Sequence, residues 1–193
     1  MVMTPSTMLE LGTTAPNFEL LEVVSGKPFS LSSLKGKKAI LVMFICRHCP
    51  YVLHVKEEIA RLGREYVPKE VGMVAISSND SVKFPDDSPV HLKEMALELG
   101  LNFPLCFDET QSVAKTYKAA CTPEFYLFDK AFKLVYQGQL DGSRPGSQTP
   151  VTGNDLREAI EAVLSNKPVS PNQKPSVGCN IKWKPGNEPD YFR

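Results

Sequence analysis

Two cysteines three positions apart, Cys46 and Cys49, stand where the longest apolar run of the chain, Ala39 to Cys46, gives way to helical periodicity. Lys38 to Ile45 reads as a central strand covered on both faces, because a strand with one wet face would alternate polar and apolar residues. From Pro50 to Tyr66 the apolar positions Val52, Val55, Ile59, Leu62 and Tyr66 step by three and four, with Glu57 and Arg61 four apart on the other side. That is an amphipathic helix, closed by Pro68. In an open sheet, the junction between the end of a strand and the start of a helix is where reacting groups gather.

The rest of the chain alternates in the same way. Met73 to Ser77 reads as a second buried strand, and Ser88-Pro89 opens a helix that Gly100 ends. Phe103 to Phe107 reads as a short strand and Gln111 to Tyr117 as a short helix. Glu124 to Asp129 and Phe132 to Gln137 form a hairpin pattern. After the Gly/Ser/Pro-rich loop Gly138 to Pro150, Thr152 and Asp155 resemble a capping box ahead of a helix that buries Leu156, Ile160, Val163 and Leu164. This order predicts an α/β fold, a three-layer α/β/α sandwich with helices on both sheet faces. The chain of 193 residues is of single-domain size. The domain is placed at 9–165 and a Pro-rich tail at 166–193. Cys179, Ile181, Trp183, Tyr191 and Phe192 give that tail enough apolar surface to pack across the domain.

Composition narrows the function classes. Lys+Arg 22 balance Asp+Glu 22, which argues against a nucleic-acid or polybasic membrane partner. The apolar run is too short to span a bilayer, and the first twenty residues lack a basic segment followed by an apolar one, so a cytoplasmic address is expected. The five cysteines are odd in number with one close pair, unlike a secreted disulfide framework. In a reducing compartment such a pair is redox-active or binds metal.

Across a first helical turn, residues i and i+3 bring their sulfurs within reach of a disulfide. The unpaired N–H groups of the helix start favour a thiolate. Arg47 and His48 between the cysteines are read as tuning groups. Cys46 is expected as the attacking thiolate at an exposed helix start and Cys49 as the resolving thiol, in a comparatively oxidising pair. Zinc is the alternative, but it needs a second ligand pair. Cys106, Cys121 and Cys179 are isolated, and His54 and His91 do not pair, so neither metal nor cofactor is expected.

Residues 9 to 165 resemble the thioredoxin-fold superfamily, in the branch that joins peroxiredoxins (the alkyl hydroperoxide reductase/thiol-specific antioxidant group) to thioredoxin-like disulfide oxidoreductases. The resemblance rests on Gly12, Ala15-Pro16, Phe18 and Leu20, on Leu34-Lys35-Gly36-Lys37, on Cys46-x-x-Cys49, on Phe103-Pro104, and on Thr122-Pro123 before Phe125-Tyr126-Leu127-Phe128-Asp129. The run from Gly178-Cys179 to Pro189 resembles the ending of a peroxiredoxin-like subgroup. The resemblance implies the peroxiredoxin/glutathione-peroxidase-like variant of the fold, a cis proline at Pro123, and substrate pairing by β-addition at Thr122-Pro123. Peroxiredoxins carry Pro-x-x-x-Thr-x-x-Cys and a distant Arg. Aligned on Cys49, this chain has Val42 and Cys46 at the Pro and Thr positions and no Arg just before Phe125. Thioredoxins usually carry Gly-Pro between the cysteines and an Asp six residues before the first, where this chain has Arg47-His48 and Ile40.

The reading is therefore a thiol–disulfide oxidoreductase with an antioxidant role. It would act on a disulfide-containing protein or small thiol and be recycled by a reductant such as thioredoxin or glutathione. A thiol peroxidase with Cys49 attacking peroxide, and a non-enzymatic redox sensor or metal-binding module, are the alternatives. Cys179 is read as an extra thiol able to fold back as a resolving cysteine, Cys121 as either redox-active or packed, and Cys106 as core. Glu124 is either a proton carrier or a rim carboxylate.

Overall fold

The apolar run ahead of the cysteines forms the middle of a sheet. A computed structural model describes residues 3–192. In chain order its elements are β1 (Met3–Pro5), β2 (Glu19–Glu22), β3 (Pro28–Ser30), β4 (Ala39–Phe44), α1 (Pro50–Tyr66), β5 (Val71–Ser77) and α2 (Pro89–Glu98). There follow β6 (Leu105–Phe107), α3 (Ser112–Thr116), β7 (Cys121–Thr122), β8 (Glu124–Asp129), β9 (Leu134–Gly138), α4 (Asn154–Leu164) and β10 (Val177–Asn180). The main sheet runs β3-β2-β6-β5-β4-β8-β9. β4 pairs parallel with β5 and antiparallel with β8, and β5 pairs parallel with β6.

Successive strand side chains point to opposite faces, and β4 shows what that does to a wholly apolar run. Ala39, Leu41 and Met43 meet Val52, Val55, Ile59 and Leu62 of α1, together with Leu92 of α2 and Leu156 and Ile160 of α4. Ile40, Val42 and Phe44 meet Phe18, Leu34, Tyr117, Tyr126 and Trp183. The fold is thus the expected thioredoxin-like α/β class, with helices on both faces of the sheet. The first face carries three helices, whereas the second carries the short α3, the N-terminal segment and the tail. The N-terminal strands were not legible because their three or four residues carry too little pattern.

A buried charge ties α1 to α4. Glu58, 3% exposed, accepts from Arg157 Nε at 3.0 Å and Nη2 at 2.5 Å and pairs with Arg61 at 3.2 Å. The expected capping box at Thr152 does not form. Gly153 occupies the cap of α4, and Asp141 Oδ2 accepts instead from the Thr152 and Gly153 amides, both at 2.7 Å.

The tail lies along the domain. β10 is the middle strand of a second sheet, β1-β10-β7. Ile181 donates its amide to Ala120 O at 3.1 Å, and Lys182 its amide to Asn79 Oδ1 at 2.8 Å.

Candidate functional site

β4 delivers the chain to Cys46, and a short loop brings Cys49 to the N-cap of α1 with Pro50 at the first helical position. There a missing N–H costs nothing and the fixed φ suits a helix. The Thr122–Pro123 bond is cis, as the resemblance implied, and it sets β7 against this loop. Cys46 Sγ lies 3.2 Å from Thr122 Oγ1. Cys49 Sγ lies 3.3 Å from Thr122 O and 2.6 Å from Cys179 Sγ. Both cysteines of the pair are buried, at 1% and 0% exposure, so the exposed attacking thiol expected at Cys46 is not present. The tail covers the site.

The two thiols of the pair differ in their surroundings. Burial pushes the Cys46 thiol well up, reinforced by the hydrogen bond to Cys49 and the negative charges of Asp87 and Cys49, with the Thr122 hydroxyl opposing. Cys49 goes the other way, down to about 5. A hydrogen bond from Cys46 is the main cause; burial opposes it, while Cys179 and the amides of Val52 and Cys179 add to it. No side-chain hydrogen bond formally caps α1, yet the dipoles of its first turn point at this sulfur. Burial and the Thr122 carbonyl, which can only accept, favour the thiol form of Cys49. The depressed thiol, expected at Cys46, is therefore Cys49, which gathers the hydrogen bonds of Cys46 and Cys179 at the start of the helix.

Of the two residues between the cysteines, His48 faces a charged partner in the site and Arg47 does not. The Arg47 guanidinium turns to Glu94 on α2, 3.5 Å away, and only its amide serves the loop. His48 Nδ1 lies 2.5 Å from Asp87 Oδ2 and its ring stacks on Phe84. Asp87 is the residue that sequence reasoning missed. Wholly buried, it accepts from the Arg47 amide at 2.6 Å and from Asn79 Nδ2 at 2.7 Å. Burial alone would raise its pKa, but the bonds from His48 and Asn79 hold it below the usual carboxylate value. The one sequence signal was Asp86-Asp87 ahead of the Ser88 helix start, which reads as ordinary helix-start acidity. Among the described residues, Cys46, His48 and Asp87 place ligand-type atoms within 4.8 Å of one another. Both Asp87 oxygens, however, are already engaged by donors.

Cys121 is brought near the pair but points elsewhere. Adjacent strand residues face opposite ways, so Thr122 reaches Cys46 while Cys121 Sγ lies 3.9 Å from Glu124 Oε2. Burial and that carboxylate hold its thiol well up. Glu124 is neither a rim group nor in contact with the paired sulfurs. Wholly buried, it accepts from Ala120 N, Cys121 N, Tyr126 Oη and Gln137 Nε2, and so fixes the turn around Pro123. Cys106 lies in the core, where burial pushes its thiol up to about 12.

The fold and the sequence recur in other proteins. An uncharacterized conserved protein from Geobacillus kaustophilus has a crystal structure that superimposes with a TM-score of 0.94 at 52% identity, covering 96% of this chain and 98% of that one. A hypothetical protein from Sinorhizobium meliloti 1021 gives 0.93 at 44% identity, with 95% and 100% covered. The thiol-disulfide oxidoreductase ResA of Bacillus thuringiensis is 27% identical over 158 residues, 81% of this chain and 78% of the relative. The model of the AhpC/TSA family matches residues 11–137, a span that holds the paired cysteines, the Asp87 clamp and the cis proline, and the chain belongs to that family.

Proposed function

We propose that the protein is a thiol–disulfide oxidoreductase whose redox pair is Cys49 and Cys46, with attack by Cys49. One observation carries this reading: Cys46 and Cys49 both bring their sulfurs against Thr122, at 3.2 Å from its Oγ1 and 3.3 Å from its carbonyl oxygen, with Cys49 at the N-cap of α1, where its thiol is drawn down to about 5. Cys49 S⁻ attacks a substrate disulfide, forms a mixed disulfide and expels one substrate thiolate. Cys46, once deprotonated, attacks Cys49 Sγ, releases the second substrate thiolate and leaves the Cys46–Cys49 disulfide. Thr122-Pro123 supplies the backbone edge against which an extended substrate pairs, and His48 with Asp87 holds the loop. A thiolate this stable favours the dithiol form, so the pair is oxidising relative to an ordinary one. A small-thiol or dithiol reductant of the glutathione or thioredoxin kind, and a cytoplasmic address, complete the reading; the odd number of cysteines with one close pair, unlike a secreted disulfide framework, supports them.

The test is turnover of a protein disulfide by wild type, Cys46→Ser and Cys49→Ser. Both variants are expected to lose it, and Cys46→Ser to accumulate the mixed disulfide on Cys49. Undiminished turnover in Cys49→Ser would overturn the assignment. A second reading, a thiol peroxidase with an antioxidant role, draws on the same depressed Cys49. Stopped-flow peroxide reduction by Cys46→Ser, far faster than by a free thiol, would promote it.

A further inference from the structure

The strand position beside Thr122, where β-addition would seat a substrate, is filled by the protein's own tail. β10 pairs antiparallel with β7, setting Cys179 opposite Thr122 and Asn180 opposite Cys121. On its outer edge β10 pairs with β1, setting Cys179 opposite Met3 and Gly178 opposite Thr4. The side chain this register delivers to the redox pair is a cysteine, with its sulfur 2.6 Å from Cys49 Sγ. The fit depends on the residue before it. A Cβ built on Gly178 would stand 2.0 Å from the Thr122 carbonyl oxygen and 2.7 Å from its carbon, distances that no real side chain tolerates. Glycine is a poor strand residue, and here it marks the close approach of two backbones.

We propose that Val177–Asn180 is a tethered substrate strand, that Cys179 exchanges onto Cys49, and that a foreign polypeptide reaches Cys49 only by replacing this strand beside Thr122. The inference rests on the oxidoreductase reading and extends it. After a substrate disulfide has been reduced, the oxidised protein holds Cys46–Cys49. The Cys179 thiolate attacks Cys49 Sγ, the Cys46–Cys49 bond breaks, Cys49–Cys179 forms, and Cys46 leaves as a thiolate that takes up the proton lost by Cys179. No net electron transfer occurs; the disulfide moves from the buried pair to the tail. In the reduced protein, burial and the negative Cys49 hold the Cys179 thiol up to about 12. The second of these causes disappears when Cys49 enters a disulfide, so Cys179 becomes a better nucleophile at the stage that requires one. The same register names the class of foreign substrate: an extended segment with glycine immediately before its cysteine.

The test is to oxidise the full chain with one equivalent of oxidised glutathione, quench in acid, alkylate and map disulfides by mass spectrometry. Wild type is expected to yield the Cys49–Cys179 cross-link, and Cys179→Ser only Cys46–Cys49. Gly178→Val, which keeps strand propensity but not clearance, is expected to lose the Cys49–Cys179 cross-link. Removing a competitor held at high effective concentration should also raise its kcat/KM on protein disulfides by about tenfold. Wild type that maps only to Cys46–Cys49 with Cys179 alkylated, while still turning over substrate, overturns this proposal and leaves the oxidoreductase reading standing. Absence of both disulfides and of turnover removes the oxidoreductase reading itself.

Discussion

His48 and Asp87 form a 2.5 Å pair in which the carboxylate is wholly buried and the imidazole stays part-exposed. The hydrogen bond to Asp87 raises the His48 pKa, and the bonds from His48 and Asn79 lower that of Asp87. The signs give a window. A raised histidine contributes stability in full below its unfolded value, about 6.5, and loses it as pH rises through the folded pKa. A lowered carboxylate contributes above its unfolded value, about 3.9, and loses it as pH falls through the folded pKa. Asp87→Asn is therefore expected to cost most between about pH 4 and 6.5, on the order of 2 kcal/mol for a charged hydrogen bond. The gap to wild type should narrow on both sides. Urea unfolding across pH measures it, and a gap that does not change with pH would refute the ion pair.

The Cys49 thiolate gives a second measurement. Its absorbance near 240 nm should titrate with a midpoint of about 5 in the reduced protein. Removing the donors Cys46 or Cys179 by substitution with alanine should move the midpoint up, further for Cys46, whose hydrogen bond is the largest cause. Equal and unchanged midpoints in both variants would show that the helix start alone sets the pKa. The linkage follows: a depressed thiol adds stability to the reduced protein above its unfolded value, about 8.5, and that stability is lost as pH falls through about 5.

What the sequence disclosed, and what it hid, divides along local and long-range physics. β4, α1 and the Cys46-x-x-Cys49 junction were legible because apolar periodicity and a helix start are encoded in adjacent residues. Pro123 was legible only through the family resemblance. The placement of the thiolate was not, since it depends on Thr122, Asp87 and Cys179, which lie 76, 40 and 130 positions from their partners in the site. Asp87 was hidden for the same reason: its role appears only when the turn after β5 folds back under the loop. Glu124 was misplaced because a carboxylate is ordinarily exposed, and four donors from the chain around it are what allow its burial.

Gly63, inside α1, tests the packing of the helix layer with a sign reversal. In an exposed helix, Gly→Ala stabilises by about 1 kcal/mol. Here a Cβ would meet Asn102 Oδ1 at 2.5 Å and the Phe103 ring at 2.6 Å. Gly63→Ala is therefore expected to destabilise, by roughly 1–3 kcal/mol, because a packed aromatic ring cannot shift without disturbing its neighbours. A stabilised variant in thermal unfolding would show that Phe103 has room to move.

Trp183 anchors the tail downstream of β10. It is 7% exposed, belongs to the second core with Ile181, and meets Tyr191 edge-on at 6.4 Å. Its Nε1 is buried without a hydrogen-bond partner among the described residues, so packing and not polarity holds it. Two substitutions separate those contributions. Trp183→Phe keeps most of the apolar contact and removes an unsatisfied donor, and should change stability by less than about 1.5 kcal/mol. Trp183→Ala opens a cavity worth about 3–5 kcal/mol. That loss should fall first on the tail, as proteolytic cleavage within 166–192 and faster alkylation of Cys179 and Cys49 before the main sheet unfolds. Equal protection of both sulfurs in Trp183→Ala and wild type would show that β1 and β7 hold β10 without the anchor.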